Sequence, residues 1–172
     1  DIFDHIFIGD GEEQFRKFVL YFQKGEDIPK VNEAQKRFSM NEALPMHRPL
    51  LNKTISRYYG AVIEVSRGCP FLCEFCDVRI YPDNNRPHSK SAEQIVTEVR
   101  RYANLGINRI LLVCDNFIGD LRWAETVVDQ LIIFQKNSDL HVSFFTEATM
   151  NLHKYPVLME KLRLAGFDIL HI

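Results

Sequence analysis

An α/β fold with a parallel sheet is expected from this chain, on two observations. Short apolar runs alternate with amphipathic helical stretches, and from Tyr58 onward the alternation is regular. Four strands then enclose three helices, and right-handed crossovers bring such strands into one parallel sheet. The run RILLVC at 109–114 has the near-continuous apolar character of a parallel strand covered on both faces. The 172 residues are 46% hydrophobic and 26% charged, ordinary for a globular chain with one good core.

The elements follow in order. HIFIGDGEEQFRKFVLYFQKGE begins with a short strand at 6–8 and a glycine turn. An amphipathic helix follows, with Phe15, Phe18, Val19 and Phe22 on one face and Gly25 as its stop. Strand, turn and helix make half of a doubly wound unit, whose apolar face needs a sheet or a following domain to cover it. Residues 27–57 carry Pro29, Pro45 and Pro49 among polar residues and read as a connector. A short helix is expected near 33–37, and Leu44, Leu50 and Leu51 are candidates to pin the segment down. An apolar strand at 61–65 enters a cysteine-rich loop, after which Ser91 and Gln94 form a capping box. The helix they start carries Ile95, Val99 and Ala103 and stops near Gly106. The strand at 109–114 is followed by a helix at 121–135, with Ala124, Val127, Val128, Leu131 and Ile132 inward. A strand at 141–147, a helix at 155–165 stopped by Gly166 and a strand from Asp168 complete the pattern.

Within SRGCPFLCEFCDV, Cys69, Cys73 and Cys76 are spaced C-x-x-x-C-x-x-C. A four-iron cubane normally takes four thiolates, so three leave one iron open to an exogenous ligand. Two other readings stand beside this one. A structural zinc site usually has four ligands, and here the nearby histidine is His88 while Cys114 lies far off in an apolar strand. A disulfide framework needs an oxidising compartment and an even set of cysteines in a small domain, unlike four in 172 residues with three crowded together.

The cysteine motif resembles the signature of the radical S-adenosylmethionine (SAM) superfamily. VIEVSRGCPFLCEFC, RPHSKSAEQIVTEV, LLVCDNFIGD and FFTEATMNLHKYPVLMEKLRLAGF resemble successive landmarks of members with an amino-terminal cobalamin-binding domain, among them proteins that methylate hopanoid lipids. The resemblance implies a partial parallel (β/α) barrel of six units, the last two beyond Ile172. It also implies the tail of a Rossmann-like cobalamin-binding domain at 1–26, a connector at 27–57 and the front of the barrel at 58–172. Beginning at Asp1 and ending in an apolar run, the chain reads as a fragment. Two departures stand out: the histidine motif D-x-H-x-x-G of cobalamin domains is absent, and Asp83, Asn84 and Asn85 stand where relatives often have glycine. Asparagine tolerates the left-handed turns this loop needs.

What the resemblance implies for the site is specific. Cys69, Cys73 and Cys76 would ligate a [4Fe-4S] cluster whose open iron chelates SAM, and an electron from the cluster would cleave the sulfonium to a 5'-deoxyadenosyl radical. Phe75 would border the adenine, or simply pack the loop. Asp115 and Asn116, after the second barrel strand, would meet SAM, or simply start a helix; Glu147, ending the third, would accept from SAM, or be a plain rim residue. With the cysteine loop, these residues are expected along one carboxyl edge of the sheet, around a single concave space. Arg86, His88 and Lys90 line the loop, either as a solvated basic stretch or facing an anion, and Cys114 reads as a buried small residue.

The function implied is reductive SAM cleavage, with cobalamin-dependent methyl transfer to unactivated carbon. A cobalamin-associated cyclase or rearrangement enzyme, and a non-catalytic electron-transfer module, stand as alternatives. The expected partners are a small-molecule or lipid substrate and an electron donor such as flavodoxin or ferredoxin. With 21 basic and 23 acidic residues and no basic stripe, nothing points to nucleic acid. No apolar run has the length of a membrane span, no signal peptide is seen, and reduced, closely spaced cysteines suit a cytoplasmic setting.

Overall fold

The computed structural model describes residues 2–80 and 84–172. It contains two compact units, Asp1–Glu42 and Ala43–Ile172. In the first, β1 (Ile6–Ile8) leads into α1 (Glu12–Lys24), which Gly25 closes in the left-handed conformation with its N–H on the Phe22 carbonyl. β2 (Val31–Glu33) pairs in parallel with β1, Ile6 opposite Val31. The helix expected near 33–37 does not form. Ile6 N–H donates to the Lys30 carbonyl and Ala34 N–H to the Ile8 carbonyl, so pairing with a distant strand outweighs a weak local period. Phe7 of β1 meets Phe18 of α1 edge to face, ring centroids 5.6 Å apart, and Phe18 stacks with Phe15 and Phe22 at 5.9 and 6.1 Å.

The second unit opens with α2 (Arg48–Thr54), a helix the proline-rich sequence did not suggest. Pro49 stands in its first turn, where a missing N–H costs nothing. Of the three leucines expected to anchor this stretch, Leu51 alone is buried; Leu44 and Leu50 are 89% and 56% exposed. Then follow β3 (Ala61–Glu64), β4 (Ser66–Arg67), β5 (His88–Ser89), α3 (Ala92–Ala103), β6 (Arg109–Val113), α4 (Leu121–Lys136), β7 (Ser143–Glu147), α5 (Pro156–Ala165) and β8 (Phe167–His171). Ser91 caps α3 by accepting from Gln94 N–H, and Asp120 caps α4 by accepting from Trp123 N–H.

β3, β6, β7 and β8 lie side by side in that order, every pair parallel. This is the expected α/β architecture, with each strand next to its sequence neighbour as a barrel wall requires. One sheet face carries Ala61, Ile63, Ile110, Leu112, Phe144 and Phe167, which join Ile95, Val99, Val127, Leu131, Leu158 and Leu162 of the three helices in one core. The opposite face is less covered: Val62, Val113 and Ile169 are 49%, 37% and 56% exposed. β6 is thus not buried on both faces as its apolar run suggested; its residues alternate, with Ile110 and Leu112 inward. An apolar run fills the lightly covered face as readily as a doubly covered one, and composition does not separate the two.

Candidate functional site

The cysteine loop is tied at its base. β4 and β5 form a two-residue antiparallel ladder, Ser66 opposite Ser89 and Arg67 opposite His88, which draws the two ends of the loop together. Val65, just before it, donates to the Val113 carbonyl and accepts from Lys90 N–H, fastening the ladder to the sheet. Gly68 has φ 91°, and a Cβ there would sit 2.7 Å from the Asn84 carbonyl oxygen. The close approach lets Cys69 N–H donate to that carbonyl at 2.8 Å. Asn84, one of the residues that replace glycine, therefore contributes its backbone to the loop; Asp83, with Tyr81 and Pro82, lies outside the described residues.

All three motif cysteines are free thiols, Cys73 exposed and Cys69 and Cys76 half-buried. Cys76 N–H donates to the Cys73 carbonyl in a tight turn. Phe75 is 91% exposed, so its ring does not pack the loop onto the sheet.

The strand ends meet this loop from below. Strands of a parallel sheet point the same way, and their pairings place the ends of β3, β6, β7 and β8 on one carboxyl edge. Asp115 and Asn116 follow β6 there, and Glu147 ends β7 opposite His171. Asp115 is exposed and accepts from Gly68 N–H at 2.6 Å. Asn116 is buried: its Oδ1 accepts from Ile118 N–H and Thr149 N–H, each at 3.3 Å, and its Nδ2 donates to Cys69 Sγ at 3.8 Å. Glu147 is exposed, and its carbonyl accepts from Phe117 N–H, which ties the ends of β6 and β7 together.

Two neighbours resolve into structural roles. Cys114 is buried beside Thr146 Oγ1 at 3.4 Å, and burial pushes its thiol up to about 11. Lys90 is not part of a solvated loop: its ammonium is buried against Glu98 at 2.7 Å, and its carbonyl accepts from Trp123 Nε1. A cleft of about 310 Å³ lies on the helical layer, lined by Val96 and Arg100 of α3 and Gln130 and Phe134 of α4, and touches none of the strand-end residues.

The chemistry of the donor set fits an iron-sulfur cluster. Among the described residues no group of three or more His, Cys, Asp or Glu converges on one ion. Thiolates of a cubane bind different irons and stand further apart than the ligands of one metal, so three free cysteines on one loop are compatible with a cluster. A donor amide already aimed at Cys69 Sγ is the outer hydrogen bond that cluster sulfurs take.

Residues 63–172 match the family model of the radical SAM superfamily. The chain belongs to that superfamily. Among curated relatives, the hopanoid C-2 methylase of Rhodopseudomonas palustris is 39% identical over 114 residues, which is 65% of this chain and 21% of that protein. An uncharacterized methyltransferase of Synechocystis sp. is 29% identical over 166 residues, 96% of this chain and 30% of that protein. A ribosomal protein uS12 methylthiotransferase, RimO, of Crocosphaera subtropica is 30% identical over 108 residues. The chain thus spans 21% and 30% of the length of the first two of these curated relatives. Among solved structures, the radical SAM methyltransferase TsrM of Kitasatospora setae, with cobalamin and a [4Fe-4S] cluster bound, superposes with TM-score 0.68 at 14% identity. The match covers 95% of this chain and 37% of that one, and it shows the shared fold. Among the described residues no helix is long and apolar enough to cross a membrane.

Sequence reasoning anticipated the one carboxyl edge along which Asp115, Asn116 and Glu147 follow their strands. It missed the contact between Asn116 and Cys69, because 47 residues separate them and no local pattern marks the pair.

Proposed function

We propose that this chain is the cluster-bearing part of a radical SAM methyltransferase that works with cobalamin on unactivated carbon. The observation that carries the reading is three free cysteines on a loop tied to the carboxyl edge of a parallel sheet. The names of the methylase relatives support the methyl-transfer half of it. Residues 1–26 are the tail of a cobalamin-binding domain, 27–57 its connector and 58–172 the front of the barrel. The substrate is a small molecule or lipid, and a flavodoxin or ferredoxin supplies electrons in the cytoplasm.

Cys69, Cys73 and Cys76 hold a [4Fe-4S] cluster, which when bound supplies the electron that cleaves the SAM sulfonium. The chain's own residues position that event. Gly68 and Asp115 fix the start of the loop, leaving Cys73 and Phe75 at its exposed tip. Phe75, Asp115 and Glu147 are exposed, and Asp115 and Glu147 stand on the sheet edge with the loop, where they border SAM. The Asp115 and Glu147 carboxylates suit its amino and hydroxyl groups. Asn116, buried behind the loop, faces the cluster side of the same site.

Anaerobic reconstitution of the full-length protein tests the reading. About four irons per chain are expected, with formation of 5'-deoxyadenosine from SAM under reducing conditions. Cys69→Ala, Cys73→Ala and Cys76→Ala each abolish both, while Cys114→Ala keeps them. Iron that survives the triple replacement, or that depends on Cys114, refutes the assignment. Methyl transfer from methylcobalamin separates the methyltransferase from other radical chemistry.

A further inference from the structure

We infer that Asn116 is a positioning residue for the iron-sulfur cluster, its side-chain amide donating to the Cys69 thiolate and raising the reduction potential of the cluster. The inference rests on the cluster reading above and adds to it a residue that acts on the metal's electronics.

The geometry leaves the amide one orientation. Asn116 is 2% exposed, and Oδ1 already accepts two backbone hydrogen bonds, from Ile118 N–H and Thr149 N–H. Turning the amide over would set its NH2 against two N–H donors, so the network itself assigns the nitrogen to the sulfur. Nδ2 stands 3.8 Å from Cys69 Sγ, within reach of an N–H to sulfur hydrogen bond. Asp115, the preceding residue, takes Gly68 N–H at 2.6 Å. Two consecutive residues at the end of β6 thus hold two consecutive residues of the cysteine loop.

The electronic consequence follows from charge. An electron added to a four-iron cluster increases the negative charge on its sulfurs, and a fixed donor dipole pointing at one of them stabilises the reduced form more than the oxidised. Burial strengthens the effect, because little water competes for the amide and the local dielectric is low. The two held donors, Ile118 N–H and Thr149 N–H, keep the dipole from turning away when the cluster changes charge. A residue that merely filled space behind the loop would need neither that orientation nor a donor.

Redox titration of the full-length reconstituted protein, followed by EPR at pH 8.5, tests this. Asn116→Ala removes the donor without bringing the negative charge that Asp would add, so a shift in midpoint reads the lost hydrogen bond and not a new anion. The variant is expected to hold iron as the wild type does, with a midpoint more negative by an amount equivalent to about a tenfold loss of reduced cluster at fixed poise, ~59 mV for one electron. Pulsed EPR on protein labelled with 15N-asparagine is expected to show a nitrogen coupling in the wild type that the variant lacks. An unchanged midpoint at full iron content overturns the inference while leaving the cluster reading intact. Should the variant lose iron, the wild-type coupling decides: its absence overturns the inference, and its presence upholds it. A wild-type protein that takes up no cluster removes both.

Discussion

Cys114 and Cys69 are both thiols near the carboxyl edge, yet their surroundings give them opposite uses. Cys69 is half-buried on the loop, whereas Cys114 is buried behind the sheet edge, with Thr146 as its hydrogen-bonding neighbour. Burial disfavours the Cys114 thiolate, so its pKa is pushed up from 9.0 to about 11. At pH 8 about one molecule in a thousand carries that thiolate, and alkylation of Cys114 in the folded triple-cysteine variant is expected to be negligible until denaturant is added. Mass spectrometry after iodoacetamide treatment reads this directly. The same shift sets a sign for stability. Because the folded pKa is raised, the unfolded chain loses this proton first, and stability falls from pH 9 towards 11 by about 1.4 kcal/mol per unit from this group. Urea titrations across that window should show a shallower pH slope in Cys114→Ala than in the wild type. A steep slope retained in the variant would assign the effect elsewhere.

At the scale of elements, the loop stays in place because its exit is pinned from within. Lys90 leaves β5 carrying three ties: its N–H to Val65, its carbonyl to Trp123 of α4 and its ammonium to Glu98 of α3. The ion pair is buried, with side chains 4% and 7% exposed. Removing one partner strands the other charge without water. Glu98→Ala is therefore expected to cost about 3–5 kcal/mol by urea unfolding, and Lys90→Met a similar amount. The double variant Lys90→Met with Glu98→Leu should lose less than either single one, since no charge is left unpaired; additive losses would show that the pair is not the unit. These ties bear on what the sequence could reveal. The alternation of strands and helices, the Ser91 cap and the Gly25 and Gly166 stops are local signals, and the structure has them all. β2 spans three residues and exists because β1 offers its backbone, α2 starts at a proline that reads as a breaker, and Lys90 is buried only because α3 supplies Glu98. None of these leaves a periodicity to read. The cysteine loop was legible by spacing, but its grip by Asp115 and Asn116 required two strand ends to be brought together.

For the sheet-bearing unit as a whole, the two faces of one sheet do different work, and adjacent residues on β3 can show it. Ile63 is 1% exposed among the helices, while its neighbour Val62, on the other face, is 49% exposed. Pairing carries that second face across the sheet through Val62, Leu111, Phe145 and Ile169. Glu64 and Glu147 stand on the same face, two residues nearer the carboxyl edge than Val62 and Phe145. Within this chain the helical side of the wall is closed, while the other face carries half-exposed side chains. Ile63→Ala is accordingly expected to cost about 2–5 kcal/mol, the usual loss for an aliphatic side chain taken from a closed core. Val62→Ala and Ile169→Ala remove apolar atoms already half in water and should each cost under about 1 kcal/mol. Equilibrium unfolding of the three variants measures the difference. Similar losses on both faces would mean that the second face is as closed as the first. Near-silence at Val62 and Ile169 beside a large loss at Ile63 would show that the helical face carries the stability of this sheet, because only there does a lost side chain leave a closed core.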